Sequence, residues 1–149
     1  MPDPTSYALD SDAIKAAHTQ AWSYTSGSKT ITATDGSEWI AYNTYASTNQ
    51  VTVQMNKSKS AYVLTPTVPS GKKITKITVV TNKSADGSAD AGDRPLDIQS
   101  ADGQSTLHAN VTNYAEGLEI SGEHTALRVI CNESNGGATY IVSITIDFE

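Results

Sequence analysis

Three aromatic residues crowd into "TDGSEWIAYNTYAS" (residues 34–47): Trp39, Tyr42 and Tyr45. Rings held on a polar surface suit one chemistry in particular. A ring face stacks on the axial C–H groups of a pyranose, while neighbouring Asn, Thr and charged groups take its hydroxyls. Other chemistries find no constellation here. His18, His108 and His124 stand in three unlike contexts without metal-ligand spacing. The sequence has no His-Glu-x-x-His, no Gly-x-Ser-x-Gly and no phosphate-cradling glycine loop. There are 16 carboxylates, yet no short segment marks a pair at glycosidase-like separation. No catalytic residue is assigned, and the chain reads as a non-enzyme.

Two charged stretches invite ligands of their own. "SADGSADAGDRPLD" carries Asp86, Asp90, Asp93 and Asp97, hard oxygen donors that would suit calcium. It lacks the alternating ligands and closing glutamate of an EF-hand, so a solvated surface loop is the favoured reading and no metal is assigned. From Asn56 to Lys83 there are six lysines (Lys57, Lys59, Lys72, Lys73, Lys76, Lys83) and no acid. Converging, they would favour an anionic ligand such as a uronic-acid polysaccharide; strand alternation and separate loops predict that they scatter.

These residues need a scaffold. A chain of 149 residues fills one core. Ser and Thr make up about a quarter of it, and threonine favours strands. The net charge of −6 argues against a nucleic-acid partner. There is no run of 18 apolar residues, so no segment is expected to insert in a membrane. The opening "MPDPTSYALD" has no basic start followed by an apolar run; it reads as an excised domain with a start methionine, one module of a larger protein. Cys131, alternating with Leu127 and Val129, reads as a small core residue and not a reactive thiol.

One short helix is expected in the N-terminal segment (residues 1–22), in "LDSDAIKAAHTQAW", capped by Ser11 or Asp12. After Trp22, eight to ten β-type runs alternate with Gly-, Asn- and Asp-rich turns. That spacing predicts an all-β fold: a single domain over residues 1–149, built as an antiparallel two-sheet sandwich of jelly-roll type. Val51, Val53 and Met55 alternate with outward Thr52 and Gln54. Strict alternation in the last strand puts Tyr140, Val142, Ile144, Ile146 and Phe148 on the buried face. In "KITKITVVT" the parity of Ile74 and Ile77 differs, so a bulge near Lys76 or burial on both faces is expected.

Register decides whether the tryptophan faces water. Asp35-Gly36 signals a two-residue hairpin turn, which pairs Thr32 with Trp39 and leaves the indole outward, with Tyr42 in the core. A three-residue loop, Asp35-Gly36-Ser37, would reverse the parity and bury it. The two-residue turn is the preferred reading. Trp39 then stacks on a sugar, Tyr45 offers a second platform, Asn43 exchanges hydrogen bonds with hydroxyls, and Tyr114 in "NVTNYAEG" is a further contact.

The segment "SKSAYVLTPTVPSGKKITKITVVTNKS" (residues 58–84), with "NESNGGATYIVSITIDFE" at the end and "DGSEWIAYN" upstream, resembles accessory domains of secreted, multidomain glycan-utilisation proteins of Bacteroidetes. The resemblance spans residues 30–149. It implies a galactose-binding-like jelly roll, an extracellular or cell-surface location, and a polysaccharide or glycan partner, with no catalytic residue and no fixed sugar-binding position; no cofactor is assigned, a structural calcium apart. The expected function is thus that of a noncatalytic carbohydrate-binding module. The alternative is an adhesion or interdomain module that contacts protein, which requires a contiguous apolar patch on the outer surface.

Overall fold

Turn-forming clusters cut the chain into short strands that fall into two antiparallel sheets packed face to face. The computed structural model describes residues 4–149; the first three residues of the expected N-terminal segment lie outside the described residues. The elements are β1 (Ser6–Leu9), α1 (Ser11–Ala17), β2 (Ser28–Thr32), β3 (Glu38–Tyr42), β4 (Val53–Asn56), β5 (Tyr62–Leu64) and β6 (Ile74–Asn82). There follow β7 (Leu96–Ser100), β8 (Thr106–Val111), β9 (Leu118–Glu119), β10 (Leu127–Cys131) and β11 (Ala138–Phe148). One sheet runs β1-β11-β6-β9, with β4 also on β11; the other runs β2-β3-β5-β10-β7-β8. Among the described residues, β2–β3 and β7–β8 are the hairpins within a sheet, and the other sequential steps cross between sheets. The chain is an all-β two-sheet sandwich, as the strand spacing predicts.

The core lies between the inner faces. The six-stranded sheet contributes Ile31, Trp39, Ala41, Val63, Ile98 and Val129, and the five-stranded sheet Met55, Ile77, Val79, Ile144 and Ile146, all at most 1% exposed. Each large aliphatic side chain so buried contributes about 1.5–3 kcal/mol of transfer free energy. Cys131 joins them as expected, and burial raises its thiol pKa, holding it in the unreactive protonated form.

β11 is the longest strand and organises its sheet. β6 pairs along one edge, while β4 (on residues 138–141) and β1 (on residues 144–147) share the other end to end. The register with β6 slips twice. One slip leaves Thr75 as the extra residue next to Lys76, the bulge that the parity of Ile74 and Ile77 demands. The other, between Ile141 and Ser143, corrects the strict alternation predicted for β11: Ile144, Ile146 and Phe148 point inward, but so does Ile141, and Tyr140 is turned out. A bulge inserts one residue and so inverts every face assignment beyond it. β4 begins at Val53, so Thr52 is buried and donates its hydroxyl to Ala85 O at 2.7 Å; it does not face out as alternation from Val51 suggests.

The helix is present, but its cap is Asp10, one residue ahead of the expected pair. Asp10 Oδ2 accepts from Ala13 N (3.3 Å) and Thr34 Oγ1 (2.6 Å), and Oδ1 from Thr34 N (3.1 Å). Asp35 Oδ2 accepts from Ala8 N at 2.9 Å, so β1 and α1 are clamped onto the β2–β3 turn. Burial would raise the pKa of Asp10, but the hydrogen bonds from Thr34 and Ala13 outweigh it and the net shift is downward.

Beyond α1, His18 is fully buried. Its Nδ1 lies 2.7 Å from Gln50 O, and its ring meets Trp22 edge-on at 4.4 Å. A carbonyl only accepts, so Nδ1 carries the proton; Nε2 is buried without a partner. Burial lowers the pKa of His18, and the Gln50 carbonyl offsets part of that. The folded protein therefore takes up this proton less readily than the unfolded chain, whose histidine titrates near 6.5. Stability tied to neutral His18 is complete above that pH and is lost as pH falls through the depressed folded-state value, at no more than about 1.4 kcal/mol per pH unit. Melting temperature is expected to fall from pH 7.5 to 5.5, and His18→Gln to flatten that decline. An unchanged slope in the variant would assign the acid sensitivity elsewhere; Asp10 acts only near and below 3.8.

Candidate functional site

The expected exposure of Trp39 is overturned by the hairpin. Ala33 N donates to Ser37 O (2.8 Å) and Gly36 N to Ala33 O (2.9 Å), so the loop is Thr34-Asp35-Gly36, three residues long, with Gly36 at φ +87°. This is the type I turn closed by a left-handed glycine. It pairs Trp39 with Ile31, which points into the core. The indole is 0% exposed, and its Nε1 donates to Ser37 Oγ at 2.9 Å. Tyr42 correspondingly leaves the core, half-buried on the outer face, where it stacks on Tyr62 at 4.9 Å.

Two more expected contacts turn out to be structural. Asn43 has φ +51°; its Oδ1 accepts from Gly27 N (3.0 Å) and its Nδ2 donates to Lys59 O (3.2 Å), so its amide holds two loops together. Tyr114 is 1% exposed and cannot stack on a ligand. Its hydroxyl donates to Arg94 O at 2.9 Å and lies 3.1 Å from Thr81 Oγ1, which must then donate to it. Burial raises the pKa of this phenol, with the Thr81 bond in opposition.

Tyr45 remains on the surface. Among the described residues it and Val80 are the two large hydrophobics classed as exposed, at 38% and 37%. Both lie on the outer side of the five-stranded sheet. Tyr45 bridges to Gln54, Gln54 pairs with Tyr140, Tyr140 with Asn82, and Val80 with Ser143. Tyr24 packs against Tyr45 at 5.4 Å and receives a hydrogen bond from Gln54 Nε2 at 2.9 Å. A strip of three tyrosines and a glutamine thus crosses this face.

The strip runs into a cleft of about 590 Å³ between the end of β6 with Lys83, residues 92–95, and the start of β11. Tyr140 belongs to both strip and cleft. The backbone at Arg94 and Pro95 is fixed from several sides: Tyr114 holds Arg94 O, while Asn132 N (3.1 Å) and Asn135 Nδ2 (3.3 Å) donate to Pro95 O. Gly92 packs so closely on Thr81 that an added Cβ would lie 2.3 Å from Thr81 Oγ1. Asn82 lines the cleft too, but its amide is committed to the adjoining loop, donating to Ala89 O and accepting from Ser84 and Ala89. Asp93 is the one carboxylate residue of the lining, so the cleft holds no pair of acids for glycoside hydrolysis.

Two carboxylates of the acidic stretch, Asp86 and Asp97, are engaged in hydrogen bonds. Asp86 accepts from Ser84 and Ser88, side-chain bonds that lower its pKa to about 2, while Asp97 accepts from Asn132 Nδ2 and Asn110 N. Among the described residues no three His, Cys, Asp or Glu side chains gather as a metal would require. Nor do the lysines converge: Lys57 donates to Glu133 O, Lys73 pairs with Glu123, Lys76 lies beside Gly117, and Lys83 lines the cleft.

The opposite sheet has a different outer face. Register places Ile40 beside Leu64, and Tyr62 between Tyr42 and Ile130; Arg128 lies over the Tyr62 ring at 4.0 Å. Tyr42 and Tyr62 stack on one another, and Arg128 also covers Tyr62.

Sequence reasoning did not single out Tyr24, Gln54, Tyr140 or Arg94. Only a bulge signal near Val142 could have turned Tyr140 outward in advance. In comparisons with known proteins no family model matches the chain, and no curated protein proved similar to it.

Proposed function

We propose that this protein is a noncatalytic carbohydrate-binding module whose ligand lies along the Tyr45–Tyr24–Tyr140 strip and enters the neighbouring cleft. The observation that carries this reading is Tyr45: a large aromatic left 38% exposed on a sheet face, continuous with the cleft through Gln54 and Tyr140. A partly exposed ring beside amide and cationic donors is the combination that takes the C–H face and the hydroxyls of a pyranose together. The resemblance to galactose-binding-like accessory domains supports the same reading, and with it an extracellular or cell-surface place in a larger glycan-handling protein.

The test is a calorimetric titration of plant and host glycans against the protein and Tyr45→Ala. The variant is expected to weaken binding at least about tenfold, a loss of about 1.4 kcal/mol. Its stability should stay within about 0.5 kcal/mol of the parent, as for most surface substitutions. Binding that survives both Tyr45→Ala and Tyr140→Ala would remove the strip from the site.

A second reading has its own observation. Ile40, Tyr42, Tyr62, Leu64 and Ile130 adjoin one another, half-buried, on the outer face of the six-stranded sheet, and an apolar patch there supports an adhesion or interdomain module. An absence of glycan response, together with a protein contact broken by Leu64→Lys, would favour it.

A further inference from the structure

The geometry points to an acidic sugar, a uronate or a sulfated residue, as the ligand of the cleft beside Tyr140, with Arg94 as its principal anchor and Lys83 as a second cation. This rests on the sugar-binding reading and names the chemical class of the ligand.

The chain is acidic overall, at −6. Even so, two cations line this one cleft, and among the described residues neither makes an ion pair; the cation that does is Lys73, with Glu123 at 3.8 Å. Asp93 lines the same cleft but lies beyond salt-bridge distance of both. Lys83 and Arg94 against Asp93 leave the lining with one positive charge in excess, and that excess favours a bound anion.

Arg94 is also prepared for the task. Its main chain is pinned by Tyr114 on one carbonyl and by Asn132 and Asn135 on the next. Its guanidinium lies against Gly136 and Gly137, where a Cβ on Gly137 would come within 2.6 Å of Nη1 and 2.9 Å of Cζ. Glycine at 137 keeps that slot open. A guanidinium placed in this way presents paired N–H donors, and their spacing matches the two oxygens of a carboxylate or sulfate. Neutral hydroxyls need no such fork.

The experiment titrates polygalacturonate, its fully methyl-esterified form, a sulfated galactan and an uncharged galactan against the protein, at about 50 mM and about 500 mM NaCl. Binding of polygalacturonate or of the sulfated galactan is expected, falling at least about tenfold over that rise in salt. Arg94→Ala should cause a similar loss and Lys83→Ala a smaller one, with melting temperatures unchanged because both side chains are exposed. A response to only one of the two anionic polymers identifies the anion and sustains the proposal. Esterified or uncharged polymers binding as tightly as the acidic ones would overturn the acidic-sugar inference and leave the sugar-binding reading standing. Acidic polymers that bind with undiminished affinity to both variants would overturn the role of this cleft. Failure of all four polymers to bind, with no response across a wider glycan panel, would overturn both.

Discussion

Trp39→Ala should destabilise the protein by about 3–5 kcal/mol, the range for truncating a large aromatic in a core. For a chain of this size that lowers the melting temperature by roughly 6–20 °C. The indole is fully enclosed among Ile31, Ala41 and the facing sheet, so most of its volume becomes a cavity that a β-sandwich cannot collapse around. Its Nε1–H also leaves Ser37 Oγ, a buried acceptor that in turn donates to Asp35 within the turn. Trp39→Phe separates the two effects. It restores most of the volume and loses only the hydrogen bond, for a cost of about 1–2 kcal/mol. Urea denaturation followed by circular dichroism measures both. A loss below about 1 kcal/mol for the alanine variant would contradict the buried indole. The contrast with Tyr45→Ala is the useful part: one aromatic of the same fourteen-residue stretch is sealed in the core and the other stands exposed, so on the proposed function the two variants should lose different properties.

That contrast also shows where the sequence is legible. Strand existence is readable because Ser/Thr-rich alternation and Gly/Asn/Asp turns act locally, and two sheets follow because so many half-apolar strands must pair their apolar faces. Facing is harder, because parity is unforgiving. The Asp35-Gly36 signal correctly announces a hairpin, but whether Thr34 joins the turn depends on the clamp that Asp10 applies to Thr34 and that Asp35 applies to Ala8, contacts over 24 and 27 residues. One residue in that loop moved Trp39 from surface to core. The same arithmetic applied to β11, where the bulge near Val142 lets Ile141 and Ile144 both point inward and turns Tyr140 out. The bulge at Thr75 was legible only because two isoleucines three apart had to share a face. Tyr45 was readable as a loop residue freed from alternation; Asn43 and Tyr114 were not, because nothing local shows that their polar atoms are committed to Gly27, Lys59, Thr81 and Arg94.

Tyr114 then becomes a means of testing how the cleft is built. Gly92→Ala should cost about 1–3 kcal/mol, the usual range for forcing extra volume into close packing. It should also weaken whatever the cleft binds, although Gly92 carries no side chain to contact a ligand. The new Cβ would sit 2.3 Å from Thr81 Oγ1, 3.0 Å from Thr81 Cβ and 3.3 Å from Asn82 N. The two backbones cannot simply part, since Gly92 N donates to Thr81 O at 3.0 Å. The Thr81 hydroxyl must therefore move, which breaks its bond to Tyr114; the same phenol holds Arg94 O and through it the cationic wall. Thr81→Ala alone removes that hydroxyl and should cost about 1 kcal/mol, because Tyr114 keeps its bond to Arg94. In the double variant the most severe clash has no atom left to clash with, so the combined loss should fall short of the sum by at least about 0.5 kcal/mol. Strict additivity would mean that the strain at Gly92 is relieved elsewhere, and that the Thr81–Tyr114–Arg94 chain of contacts does not set the position of the arginine.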